Sequence, residues 1–156
     1  MSTPRSLVLP NGVQRTRVPI GGGELAGLIA EPSTPHRETP VLLVPGFTGS
    51  KEDFLPLFEV LAADGHRVLA IDQRGQFESP GVEDPSAYDI KALAHDLLAV
   101  SVHVGTPVHL VGHSFGGLVA RAAALADPGA VRSLVLVGSG PAAPALQAPS
   151  PRCGQR

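Results

Sequence analysis

The stretch Val108-His109-Leu110-Val111-Gly112-His113-Ser114-Phe115-Gly116-Gly117 sets Gly-x-Ser-x-Gly between a short apolar run and an alanine-rich segment, Phe115 to Ala126. That placement constrains the chain more than any other feature. A serine on a sharp strand-to-helix turn needs strained backbone angles, and the residues two before and two after it must be small so that strand and helix can approach. Such a turn lifts the Ser114 hydroxyl clear of the sheet and sets it at a helix N-terminus, where free N–H groups and the helix dipole favour developing negative charge. Eleven serines and 18 glycines in 156 residues give roughly 0.15 accidental matches to the pentapeptide. A glycine-rich turn with an idle serine therefore stays open until the context is read.

The context is an alternation of short apolar runs and helical segments. Val13 to Ile20 and Leu25 to Ala30 read as two strands joined across Gly21-Gly22-Gly23, as a tight hairpin requires. Glu31 to Pro40, with three prolines, reads as a loop. Val41 to Val44 lacks in/out alternation, which suits a strand covered on both faces; Val68 to Ile71 reads as the next buried strand, and Val108 to Val111 and Leu134 to Val137 as further strands. Between them, Ser50 to Ala63, Tyr88 to Val102 and Phe115 to Ala126 have helical spacing, the first opened by Ser50 with Asp53 three residues on. The order predicts a mostly parallel α/β sheet with flanking helices and an N-terminal antiparallel hairpin. The final 16 residues hold four prolines, no acid and one large aliphatic, Leu146. The expected division is residues 1–140 as one partial α/β domain and 141–156 as a disordered tail.

Composition removes several classes. Apolar residues make up 43% and charged ones 17%, with a formal net charge of -2 and no Lys/Arg block. That suits a globular protein without a nucleic-acid or anionic-membrane partner. A single cysteine, Cys153, excludes an internal disulfide and any multi-cysteine metal site, and histidine spacing suggests no metal. No run approaches the roughly 20 apolar residues of a membrane span. Leu7-Val8-Leu9 is too short for the core of a signal peptide, so the expectation is a cytoplasmic protein. Arg outnumbers Lys 10 to 2, which reads as a GC-rich bacterial genome.

Four landmarks, in order, resemble the α/β-hydrolase family over about residues 12 to 140. Val41-Leu42-Leu43-Val44-Pro45-Gly46-Phe47 is similar to that family's third strand and oxyanion loop, with Pro45 where many members have His. Asp72-Gln73-Arg74-Gly75-Gln76-Phe77-Glu78-Ser79 is similar to its Asp-x-Arg-Gly-x-Gly-x-Ser loop, with Phe77 replacing the usual glycine. Gly112-His113-Ser114-Phe115-Gly116-Gly117 is close to the commonest form of its elbow, and Ser133 to Gly140 looks like its sixth strand and following loop. The resemblance implies Ser114 as nucleophile and an oxyanion hole built from the backbone N–H groups of Phe115 and Phe47. The substrate would then be a small molecule with an ester-like or other acyl group, and no cofactor is implied. The Phe side chains would be free to line a pocket, although core packing is an equal reading of Phe47.

The family order places an acid and then a histidine after the serine. All six histidines here (His36, His66, His95, His103, His109 and His113) precede Ser114, and the one later acid is Asp127. Asp127 lies at the far end of the helix that Ser114 begins, roughly 20 Å away at 1.5 Å per residue. It reads as a surface residue before Pro128. The resemblance implies eight strands and six are found, so the reading frame is expected to end early or shift near residue 141. Strand 134–137 would then be an apolar edge open to pairing. The chain is expected to be weak or inactive alone as a serine hydrolase. A non-catalytic remnant, a ligand-binding module and an interaction protein completed by a partner are the alternatives. A dinucleotide site at Gly138-Ser139-Gly140-Pro141-Ala142-Ala143 fails because no helical pattern follows.

Overall fold

The computed structural model describes residues 7–34 and 37–141; the expected tail from residue 142 onward lies outside them. Six strands form one sheet: β1 (Val13–Ile20), β2 (Gly23–Ala30), β3 (Val41–Val44), β4 (Val68–Ile71), β5 (Val108–His113) and β6 (Val131–Val137). Their order is β1-β2-β4-β3-β5-β6. β1 and β2 pair antiparallel, as do β2 and β4, whereas β3–β4, β3–β5 and β5–β6 are parallel. Gly22, at φ 85°, carries the turn between β1 and β2, in a region that costs glycine nothing.

Three helices cover the sheet: α1 (Leu55–Ala63), α2 (Ile90–Val104) and α3 (Phe115–Ala126). Alternate side chains of each central strand serve opposite faces. Leu42, Val44, Leu69, Ile71 and Leu110 pack with Leu97, Val100, Val119 and Ala123 from α2 and α3. Val41, Leu43, Val68 and Ala70 pack with Leu55 and Phe58 from α1. Both faces of β3 and β4 are buried at every residue, the arrangement their unbroken apolar runs call for.

Boundaries shift from the sequence pattern for local reasons. Residues 51–54 form a 3-10 turn before α1, because Pro56 has no N–H to close the first α-type bond. The helix expected from Tyr88 starts at Ile90, where the Asp89 carboxylate accepts the Ala92 N–H at 2.7 Å as an N-cap. β5 runs two residues further than its apolar run, because Gly112 and His113 still pair with Leu136 and Val137. β6 begins at Val131, with its burial mostly lost: Val135 and Val137 are 49% and 47% exposed at the sheet edge.

At the N-terminal end of the parallel strands, the His66 and His109 rings meet edge to face at 5.6 Å. His109 Nδ1 lies 2.7 Å from Ser133 Oγ. Burial, together with His66, Arg132 and Arg37, holds His109 below its ordinary value of 6.5. The unfolded chain therefore takes up a proton below pH 6.5 that the folded protein resists. Stability should be full above that pH and should fall as the solution is acidified below it. Melting curves from pH 7.5 to 5 should show this slope flattened in His109→Gln; an identical slope in the variant rules out His109 as its source.

Candidate active site

The turn after β5 is built by exclusion of side chains. A Cβ on Gly112 would lie 2.5 Å from the Gly117 Cα, and a Cβ on Gly116 would collide with the carbonyls of Pro45 and Val44. A Cβ on Gly117 would lie 2.5 Å from Ser139 Oγ. The chain can thus reverse directly from strand into helix, and Ser114 takes the strain with φ 51° and ψ −117°. Only Ser114 and Phe77 are non-glycine residues at positive φ among the described residues, and such strain persists only where the surroundings over-determine it. Here the Ser114 N–H donates to the Val137 carbonyl at 2.8 Å, so β6 holds the turn from one side. The Ser114 side chain is exposed at the N-terminus of α3.

The loop after β3 lies against this turn. Ser114 Cβ and His113 Nδ1 both stand 3.2 Å from where a Cβ of Gly46 would be, so a side chain there would crowd the turn. The next residue, Phe47, is 75% exposed, which removes core packing as its role. Its ring meets that of Phe115 edge to face, centroids 5.9 Å apart. The structure therefore brings Ser114, Phe115 and Phe47 together. The Phe115 N–H belongs to the first turn of α3, where backbone donors have no intrahelical partner.

A cleft of about 480 Å³ opens beside this group. Its wall passes through Phe115 and Phe47 rather than Ser114, and is completed by Phe77, Tyr88, Leu93 and the loop 73–76. The cleft is mainly apolar, with Arg74 at its side paired to Asp96 at 2.6 Å. Tyr88 secures the far rim, its hydroxyl accepting the Val82 N–H at 2.7 Å and donating to the Val82 carbonyl at 2.8 Å.

Underneath lies a charge cluster that the sequence pattern does not announce. Lys51 is fully buried, with its ammonium 2.7 Å from Asp72, 2.7 Å from Glu78 and 2.9 Å from Glu52. Burial pulls the Lys51 pKa down, but the hydrogen bonds it donates to Asp72, Glu78 and Glu52 outweigh it and leave the lysine above its ordinary range. Burial pushes the Asp72 carboxyl up, against the opposing pull of Lys51 and of the Lys51 and Glu78 N–H groups. The Lys51 ammonium also sits 4.8 Å from the centre of the Phe77 ring. The cluster ties the 72–79 loop to the segment after β3 and so shapes the cleft floor. The departure of Phe77 from the family loop pattern is the one signal of it in the sequence.

No histidine or acid among the described residues stands as a partner for Ser114. His66 and His109 lie at the opposite end of the strands, and His95 and His103 are exposed on α2. His113 is half-buried between Gly46 and Gly138. Asp127 is exposed and uses its carboxylate to cap the Gly129 N–H at 3.0 Å, as a helix-end surface residue would. His36 lies outside the described residues.

A family model described as alpha/beta hydrolase fold matches residues 39–152. RutD of Variovorax paradoxus, whose name is that of a carbamate hydrolase, is 44% identical over 100 residues, covering 64% of this chain and 37% of that protein. The sn-1-specific diacylglycerol lipase ABHD11 of Danio rerio is 36% identical over 104 residues, covering 66% of this chain and 32% of that protein. Among solved structures, an epoxide hydrolase from an endophytic Streptomyces superposes with a TM-score of 0.73 at 31% identity, over 81% of this chain and 37% of that one. The chain spans about a third of the length of the curated relatives it matches.

Proposed function

The chain belongs to the α/β-hydrolase fold family, and on that premise we propose that it is a serine hydrolase of ester-like or other acyl small molecules with Ser114 as nucleophile. One observation carries the reading: an exposed serine held at φ 51° on a strand-to-helix turn that three glycines make possible. Backbone strain of this kind gathers at functional positions. The Phe115 and Phe47 N–H groups form the oxyanion hole, and the cleft beside them takes the apolar part of the substrate. Relatives named as a carbamate hydrolase and a diacylglycerol lipase favour an acyl substrate over other chemistry on this scaffold.

A hydroxyl needs a base to take its proton, and the base needs an orienting acid. With neither placed beside Ser114, turnover by this chain alone should fall about 10⁴-fold or more below that of a complete triad, leaving the residual catalysis that an oxyanion hole and binding supply. A fluorophosphonate probe tests the reading. Slow labelling that disappears in Ser114→Ala is the expected result; a folded wild-type chain that labels no more than Ser114→Ala overturns it, and a non-catalytic binding protein becomes the better description. The exposed apolar edge at Val135, Leu136 and Val137 favours one further element, pairing of β6 with another strand. Sedimentation that finds only monomer at high concentration argues against self-pairing.

A further inference from the structure

Resting on Ser114 as the nucleophile, we propose that Gln76 is a positioning residue for the oxyanion hole: its side-chain amide holds the Gly46 and Phe47 carbonyls so that the Phe47 N–H is aimed at the serine. Three consecutive carbonyls of the loop after β3 are held by two glutamines. Gln73 Nε2 donates to the Pro45 carbonyl at 3.0 Å. Gln76 Nε2 donates to the Gly46 carbonyl at 2.8 Å and to the Phe47 carbonyl at 3.1 Å. The orientation of the Gln76 amide is settled by its other end, because Oε1 accepts the Gln73 N–H at 3.0 Å and only an oxygen can do so.

The need for such a clamp follows from the glycine. A side chain at Gly46 would crowd Ser114 Cβ and His113 Nδ1, each 3.2 Å from its Cβ, which favours glycine there. A glycine has the widest choice of backbone angles, so the Gly46–Phe47 peptide plane depends on what holds its carbonyl: the Gly49 N–H donates to it at 3.1 Å and Gln76 adds a second donor. In a trans peptide the carbonyl oxygen and the following N–H point in opposite directions. Holding the Gly46 carbonyl toward the 73–77 loop therefore turns the Phe47 N–H away from that loop. A reversed plane would put a carbonyl where the oxyanion needs a donor. Gln76 is itself well anchored: its N–H donates to the Gln73 carbonyl at 2.9 Å, and its carbonyl accepts the Ser79 N–H at 2.7 Å. The Lys51 cluster fixes the same loop from below.

The test pairs two independent readouts on the full chain. Carbonyl carbon NMR shifts of Gly46 and Phe47 report the clamp without any chemistry. The rate of Ser114-dependent fluorophosphonate labelling reports the hole. Gln76→Ala should move both carbonyl signals and slow labelling by at least tenfold, a fraction of the roughly hundredfold or more that losing one oxyanion donor outright costs, with little change in melting temperature. Gln76→Glu keeps the acceptor for Gln73 but faces two carbonyls with a carboxylate. It should label as slowly at pH 7 and regain part of the wild-type rate near pH 4–5, where the acid becomes a donor. A merely structural role would show no such pH-dependent rescue. Unmoved carbonyl signals in both variants overturn the clamp. Moved signals with labelling rates equal to wild type at every pH overturn its positioning role. A wild-type chain with no Ser114-dependent labelling removes the nucleophile reading and the hole with it, a failure told apart because the carbonyl signals are read separately.

Discussion

Lys51→Met should destabilise the protein by about 3–5 kcal/mol, the range for removing one partner of a buried ion pair, and lower its melting temperature by about 10 °C. Lys51 is among the largest fully buried side chains of the described residues, and Asp72, its partner, is equally inaccessible. Methionine matches the lysine stem in shape, so the loss is of charge rather than of volume. Asp72 would keep only two backbone donors, the Lys51 N–H at 2.8 Å and the Glu78 N–H at 3.3 Å. The double variant Lys51→Met/Asp72→Asn should recover part of the stability, because the fully buried Asp72 charge is gone while the buried Glu52 carboxylate still lacks its partner. Equal stability of the single and double variants would rule out this account.

The same cluster has a definite pH signature. The hydrogen bond from Lys51, against some burial, and the nearby Arg15 and Arg17 hold the Glu78 carboxyl below its ordinary range. Its stabilisation is therefore full above the unfolded value near 4.5 and is lost as pH falls through the lower folded value. Lys51, held above its ordinary range, stabilises fully below its unfolded value near 10.5, and that contribution fades as pH rises through the higher folded value. In Lys51→Met the Lys51 contribution should vanish from the stability profile, and that of Glu78 should shrink to what Arg15 and Arg17 supply.

Gly116→Ala should be the second large effect. The added methyl would meet the Pro45 and Val44 carbonyls, both backbone and neither able to swing aside. Overpacking alone costs typically 1–3 kcal/mol. Relief requires helix α3 to move away from β3, and that movement separates Ser114 from the Gly46–Phe47 segment. Labelling at Ser114 should then fall by at least tenfold, part of the roughly hundredfold or more that a fully lost oxyanion donor costs, beyond what partial unfolding explains. Gly129→Ala is the control, because its added Cβ meets only Asp127 Oδ1, at 3.3 Å. A Gly116→Ala protein with wild-type melting and labelling would show that the close approach at this turn is not required.

Much of this was legible in one dimension. Unbroken apolar runs at 41–44 and 68–71 could only be strands covered on both faces, and glycines at 112, 116 and 117 around a serine implied a turn with no room for side chains. Asp127 was readable as a helix-end residue from Pro128 beside it. The cleft floor was not legible. Lys51 and Asp72 are 21 residues apart, and nothing in either neighbourhood predicts a buried ammonium shared by three carboxylates. Gln73 and Gln76 could be seen only as members of a familiar loop, because what they hold is a set of carbonyls 28 to 30 residues away.

By itself the sequence determined the order of strands and helices and the turn on which Ser114 sits. Those are properties of local pattern: periodicity, steric demand at a turn, and chain order. The tertiary structure decided which distant groups share a space. It set β4 between β2 and β3, brought Phe47 against Phe115, and buried Lys51 among its carboxylates. It also gave Gln76 the carbonyls of residues 46 and 47 as partners. Hydrogen bonds and ion pairs act over a few ångströms regardless of separation along the chain, so only the folded arrangement shows which residues they join.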